Sequence, residues 1–331
     1  MIRIRFLTLV LGLLTLFVPG AMAQAAAPMT FVASTGSDSN QATDCQRSAP
    51  CLSFNAAHNV TDVGGIITCL DSGPFSGSLQ VTSTSITIDC AGGTYIPDNN
   101  QIGVQVASSF AVVTIRNMVF SGTGGGGVGS GSRALECDSC KALIVENCVI
   151  EGFNTGVAIA IRFITSNAGA QLIVKDTVIT NNGILNTGAG GGIQVAPASA
   201  GSAGVVLNRV QLGMNVTGMI FNSSNGAITA IMRDSVVSSS LNNGILSLAG
   251  QTNTFTIERS SLLVNVGNAI QASGGNSIVR IGDSTIVGNA VGVSAVSGGT
   301  VQSFKENHIA GNGSDGTPLT AFPGPGGTPL Q

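Results

Sequence analysis

An all-β solenoid, a single-stranded right-handed parallel β-helix with an N-terminal cap, is the fold class this sequence predicts, and three observations predict it. One eight-residue pattern recurs eight times from Val113 onward; its last position is apolar in every copy; and an asparagine stands three residues past that position in most copies. A fixed period of a few dozen residues marks a solenoid, because a single supersecondary unit cannot bury its apolar face alone and must stack on its neighbours.

The pattern is apolar, any, apolar, two polar residues, small or polar, any, apolar. Its copies read VTIRNMVF from Val113, LIVENCVI from Leu143, LIVKDTVI from Leu172, VVLNRVQL from Val205, AIMRDSVV from Ala230, FTIERSSL from Phe255, VRIGDSTI from Val279 and QSFKENHI from Gln302. The third positions, Ile115, Val145, Val174, Leu207, Met232, Ile257, Ile281 and Phe304, are 30, 29, 33, 25, 25, 24 and 23 residues apart, so the last coils settle to one length. The eighth positions, Phe120, Ile150, Ile179, Leu212, Val237, Leu262, Ile286 and Ile309, form an apolar column that must face a continuous core.

Past that column stand Asn182, Asn215, Ser240, Asn265, Asn289 and Asn312, with Asn154 displaced by one residue in its own copy. Asparagine tolerates a left-handed backbone, and its amide both donates to and accepts from a copy of itself one coil away, so this column reads as a ladder at a repeated tight corner. A second apolar stretch follows each corner, as in GVAI from Gly156, GIQV from Gly192 and AIQA from Ala269, which makes at least two strands per coil. Parallel strands stack about 4.8 Å apart, so ten or so coils give a cylinder on the order of 50 Å long. Leucine-rich repeats share the period, but they need Leu dominance and a helical segment; here the columns are Val and Ile and the connections Gly, Ser and Asn.

Before the repeat the chain changes character. Arg3 and Arg5, the apolar run Phe6 to Val18 and the small Ala21-Met22-Ala23 read as a secretory signal peptide over 1–23, the apolar run being shorter than the roughly 20 residues a spanning helix needs. Residues 24–64 read as a cap: a strand-like TFVAS, a turn, Cys45 and Cys51 as a structural disulfide, and a short helix in CLSFNAAHNV using Leu52, Phe54 and Ala57. A cover at the end of a solenoid blocks edge pairing with another chain. The β-helix is assigned to 65–315 and a flexible Pro/Gly-rich tail to 316–331.

Composition excludes several function classes. At 43% hydrophobic and 9% charged the chain can bury a large core, and a net charge of -3 offers no basic stripe for nucleic acid. No later segment is long and apolar enough to span a membrane. All seven cysteines follow the signal segment, where an oxidising compartment permits disulfides, and the odd number leaves at least one thiol unpaired in a monomer. Cys148 shares the parity of Ile150 and reads as a buried thiol; Cys69 and Cys90 suit neighbouring positions of one column; Cys137 and Cys140 form a lone CxxC that fits a disulfide or two free thiols. The pairing of these five stays open.

The opening FVASTGSDSN followed by CQRSAPCLSFNAA resembles the start of exported pectate-lyase-like right-handed β-helix proteins of bacteria, and the closing GGTVQSFKENHIAGNGSDGTP is similar to the last coil of a proteobacterial subgroup whose activity is unknown. The resemblance spans essentially the whole mature chain and implies the pectin-lyase-like solenoid and export to the periplasm or beyond. It implies no reaction. Pectate lyases and polygalacturonases need clustered acids, with calcium and an Arg base or paired Asp; the sequence has no adjacent Asp pair, no Gly-His-Gly, and only His58 and His308. No metal and no cofactor is expected.

Two charged features remain. Asp176, Arg209, Asp234, Arg259, Asp283 and Glu306 form a column of mostly alternating sign beside Lys175, Arg233, Glu258 and Lys305, which reads as a solvated ladder rather than a catalytic groove. The longest insertions, Ser121 to Ala142, Ala160 to Gln171 and Leu185 to Gly204, gather on one flank and carry the candidate site: Arg162, Asp138 and Glu136 for any catalysis, Arg133 and Lys141 for binding. The absence of Trp and the presence of Tyr95 alone argue against a dense saccharide platform. The function expected is an exported, non-catalytic, monomeric scaffold or interaction protein whose partner is a carbohydrate or another envelope component; the alternatives are a lyase or hydrolase of acidic polysaccharides and an adhesin or fibre.

Overall fold

Each octet alternates apolar and polar residues, which on a pleated strand sends one set inward and the other out. In the computed structural model, which describes residues 26–82, 85–98, 100–122 and 132–322, these octets stack in parallel register. The apolar column runs Phe120, Ile150, Ile179, Leu212, Val237, Leu262, Ile286, Ile309, each paired with its copy in the next coil. All but Ile309 are fully buried in one continuous core, and Ile309 packs against it. The chain is a right-handed parallel β-helix. The expected signal peptide over 1–23 lies outside the described residues.

Every octet but the first, which lies within the single strand Val112–Ser121, forms two strands rather than one. A long strand such as Ala142–Glu146 or Ala227–Arg233 is followed by a short one such as Val149–Glu151 or Val236–Ser238, with a sharp bend between them. A third strand then completes the coil, and ten of these pair in strict chain order as a separate sheet, from Leu79–Val81 through Arg133–Ser139 and Ile159–Phe163 to Ser314–Gly316.

The bend residue is left-handed: Asn147, Asp176, Arg209, Asp234, Arg259, Asp283 and Glu306 have φ between 44° and 56°. For a residue with a Cβ that costs on the order of 1–2 kcal/mol. The residue that follows offsets the strain. Ser235 Oγ accepts the Val210 N–H at 3.0 Å and donates to the Arg233 carbonyl; Ser260 Oγ accepts the Ser235 N–H at 3.2 Å; Ser284 Oγ accepts the Ser260 N–H at 3.2 Å. A hydroxyl ladder therefore lines this corner.

The second corner uses the same device with asparagine. Here the expectation of a left-handed Asn is corrected: the left-handed residue is the one before it, as at Asn181, Met214, Ser239 and Val264, while the asparagine points inward. The Asn265 amide nitrogen donates to Asn289 Oδ1 at 2.8 Å and its backbone N–H to the same oxygen at 2.9 Å; Asn289 repeats both bonds onto Asn312. Asn182 does the same with Asn215. Between the two runs stands Ser240, whose buried hydroxyl has no partner.

The last copy is one residue out of step. A bulge pairs Ile281 with Ser303 and Gly282 with Lys305, so Phe304 leaves the column it was assigned to and packs against Phe322, ring centroids 4.9 Å apart. Parallel pairing continues to Thr320–Ala321, past the expected start of the tail at 316; residues 323–331 lie outside the description.

At the other end Ala27–Val32 already pairs with Thr61–Cys69, so the stack reaches into the segment expected as cap. Helix Phe54–Asn59, N-capped by Ser53, sets Phe54 edge-on against Phe75 and Tyr95, both centroids 5.2 Å away. Leu52, expected to pack with it, is 47% exposed because it precedes the helix. Disulfides join Cys45 to Cys51, Cys69 to Cys90 and Cys137 to Cys140, and Cys148 is free and buried.

Replacing Asn289 by Ala leaves the Asn265 N–H without an acceptor and is expected to cost about 1–3 kcal/mol. Ser240→Asn supplies the missing rung and is expected to raise stability by about 1 kcal/mol. Paired urea titrations check both, and a Ser240→Asn that destabilises would contradict the ladder.

Candidate functional site

Parallel stacking at constant register turns one outward position on each third strand into a row. On this sheet the row is Gln80, Gln105, Glu136, Arg162 and Gln194, each opposite the next. It becomes apolar at Ile220 and Leu246 in the coils that follow. The expected candidates Arg133, Glu136 and Asp138 thus lie on strand Arg133–Ser139 and Arg162 on strand Ile159–Phe163. This corrects the expectation that they occupy insertion loops: each apparent insertion contains the third strand of its coil, and these residues lie on it. The part of that insertion over 123–131 lies outside the described residues.

The side chains of the row bond to one another across coils. Gln80 donates to Gln105 Oε1 at 3.0 Å, and Gln105 donates to the Asp138 carboxylate. Arg162 donates through Nη1 to Glu136 Oε2 at 3.1 Å and through Nε to Gln194 Oε1 at 3.3 Å. Arg133 reaches the same Glu136 oxygen at 2.8 Å, and its Nε lies buried without a partner.

Glu136 is the most enclosed acid of the group, its side chain only 4% exposed. Burial pushes its carboxyl above the usual carboxylate range, against the pull of the two guanidiniums; burial likewise lowers Arg133. One oxygen of Glu136 is shared by both arginines, and its side chain is almost closed off from the surface. It orients Arg133 and Arg162.

A bulge decides where Asp138 points. Val106 pairs with Cys137 but Ala107 with Ser139, so Asp138 is the extra residue, and the Cys137–Cys140 disulfide closes the chain just after it. Bulges re-aim side chains in this way. Lys141 does not join the group. It sits in the turn before strand Ala142–Glu146, beside a groove shared with Phe110 and Asn167.

The charged column pairs in twos: Arg209 bonds Asp176 with Nη2 at 2.7 Å, and Arg259 bonds Asp234 at 2.8 and 3.1 Å. Those hydrogen bonds hold both aspartates below the usual carboxylate range. Beside it Lys175 meets Glu146 and Arg233 meets Glu258. At the last coils it opens into a shallow cleft of about 410 Å³ lined by Asp283, Phe304, Lys305 and Glu306.

The glutamines of the row were missed from sequence, although GVQV and GIQV both carry a Gln two places after the glycine near the start of the third strand. Among the described residues no group of three His, Cys, Asp or Glu side chains gathers as a metal ion would need, and no helix is long and apolar enough to cross a membrane.

No family model matches the sequence, and no curated protein does. Among solved structures the chain is similar to the crystal structure of pectate lyase Pel9A, with a TM-score of 0.54 and 15% identity over 87% of this chain and 78% of that one. Fold and comparison together define a β-helix of pectate-lyase type; at that identity the likeness concerns the fold alone.

Because the folded Glu136 holds its proton more tightly than the unfolded chain does, its contribution is fully present below its ordinary value of 4.5 and is lost as pH rises through the higher folded-state value. The stability of the wild type relative to Glu136→Gln is therefore expected to fall as pH rises from 4 to 7. A relative stability that rises over that range would show that the arginines outweigh burial.

Proposed function

We propose that this chain is an exported, non-catalytic β-helix interaction protein that binds a polysaccharide along the outer face of the third-strand sheet. The observation that carries the reading is the row Gln80, Gln105, Glu136, Arg162, Gln194, with Asp138 bonded beside it to Gln105: amides, carboxylates and a guanidinium tied by cross-coil hydrogen bonds on a rigid face. Hydroxyl-rich chains are recognised by such fixed donors and acceptors, and pre-ordering them lowers the entropy lost on binding. The non-catalytic part rests on Glu136, which is enclosed and shared by two arginines. Export is supported by the features of residues 1–23 and by three disulfides, which persist in oxidising compartments.

Affinity electrophoresis against neutral and acidic polysaccharides tests this. Gln105→Ala combined with Gln194→Ala removes two amide contacts and is expected to weaken binding about tenfold with no change in melting temperature. No reducing ends or unsaturated products are expected, with or without calcium. Product release that disappears in Glu136→Gln or Asp138→Asn would instead make the chain an enzyme.

A further inference from the structure

The long strands carry an outward face of a different character from the third-strand row. From Val112 to Glu258 six successive long strands pair without a register shift, so three outward positions of each strand stack into three straight columns. The middle column is Thr114, Ile144, Ile173, Val206, Ile231 and Thr256, each half-buried and none charged. On one side the column from Val112 to Thr254 is uncharged as well; on the other stand Arg116, Glu146, Lys175, Asn208, Arg233 and Glu258. Six strands and three side-chain rows make a face of about 29 Å by about 20 Å. That is roughly 600 Å² before side-chain relief is counted, near the roughly 800 Å² each partner buries in a stable complex. A contiguous apolar stripe of that length marks an interaction surface.

The order of residues says what covers it. Read outward from the midpoint between Ile173 and Val206, the middle column is the same in both directions, with Ile144 and Ile231 next and then Thr114 and Thr256. The charged column reverses sign about the same midpoint: Glu146 corresponds to Arg233, Arg116 to Glu258, and Lys175 to the uncharged Asn208. A second copy, turned by a two-fold axis that runs along the strands through this midpoint, therefore lays each rung on its counterpart. Aliphatic meets aliphatic, Thr meets Thr, and Arg116, Glu146, Arg233 and Glu258 each meet the opposite charge. All four keep part of their side chains exposed despite their ion pairs within the chain. A slip of one coil would instead set Lys175 on its own copy or on Arg233, so charge fixes the register.

The centre of the face is also low. Gln171 lies across Gly204, where a Cβ would come 2.5 Å from Gln171 Oε1. With that rung flattened, two sheets can approach to the usual distance of about 10 Å.

We infer that this face joins two copies of the chain, face to face, in a symmetric dimer, where the sequence alone suggested a monomer. The third-strand sheet lies outside the contact, so the inference stands apart from the polysaccharide reading.

Sedimentation velocity of the full chain at micromolar concentrations, where interfaces of this size hold, is expected to show a dimer. Glu146→Lys sets a cation against the partner's Arg233, and Arg233→Glu sets an anion against the partner's Glu146. Each variant alone is expected to self-associate at least about tenfold more weakly. Mixed together, the two are expected to form dimers of near wild-type affinity, because the heterodimer restores both opposite-charge contacts. Within one chain these residues stand three coils apart, roughly 14 Å, so only a partner brings their charges together. Both positions are part exposed, and circular dichroism is expected to show wild-type strand content in each variant. A wild type that stays monomeric overturns the dimer. So does a dimer that neither variant weakens, or a pair of weakened variants that fail to combine.

Discussion

In a parallel stack every residue sits on a copy of itself, so an inward polar group is tolerable only if its copies can bond to one another. That constraint governs both bent corners of this chain. Each coil must reverse direction within a few residues, which requires a left-handed bend such as Asp234 or Val264. The next residue must then turn inward and satisfy the backbone of the coil before it. In several coils serine or threonine does this at one corner, Val210 and Cys148 being exceptions, and asparagine at the other, and the aliphatic columns can close over them because the ladders satisfy most of the corner donors.

The columns themselves were legible in the sequence, since eight apolar positions from Phe120 to Ile309 repeat without exception and parallel pairing preserves register. The left-handed residues were not. Their identities (Asn, Asp, Arg, Glu, Met, Ser, Val) share no chemistry, because backbone geometry is imposed by the ladder residue that follows rather than chosen by the side chain that bends. The bulge at Phe304 was hidden for a related reason: a one-residue shift leaves the local apolar pattern intact while removing the ring from its column.

The candidate site was half legible. Charge and proximity in coil number suggested Arg133, Glu136, Asp138 and Arg162; on strand faces instead of loops Glu136 meets both arginines, while Asp138 bonds Gln105. Burial of Glu136 between two arginines depends on the third strand, which the octet pattern does not reveal. Lys141 separates from them because the Cys137–Cys140 turn carries it around a corner.

The stacked coils depend on corner ladders that are closed, water-excluding networks. Amide hydrogen exchange measures this directly at Phe153, Asn182, Ser240, Asn265 and Asn289, whose backbone N–H groups donate to side-chain oxygens and to nothing in a strand. These amides are expected to exchange as slowly as those of the adjacent short strands, only through global opening. Fast exchange at the five corners with the strands still protected would contradict the account.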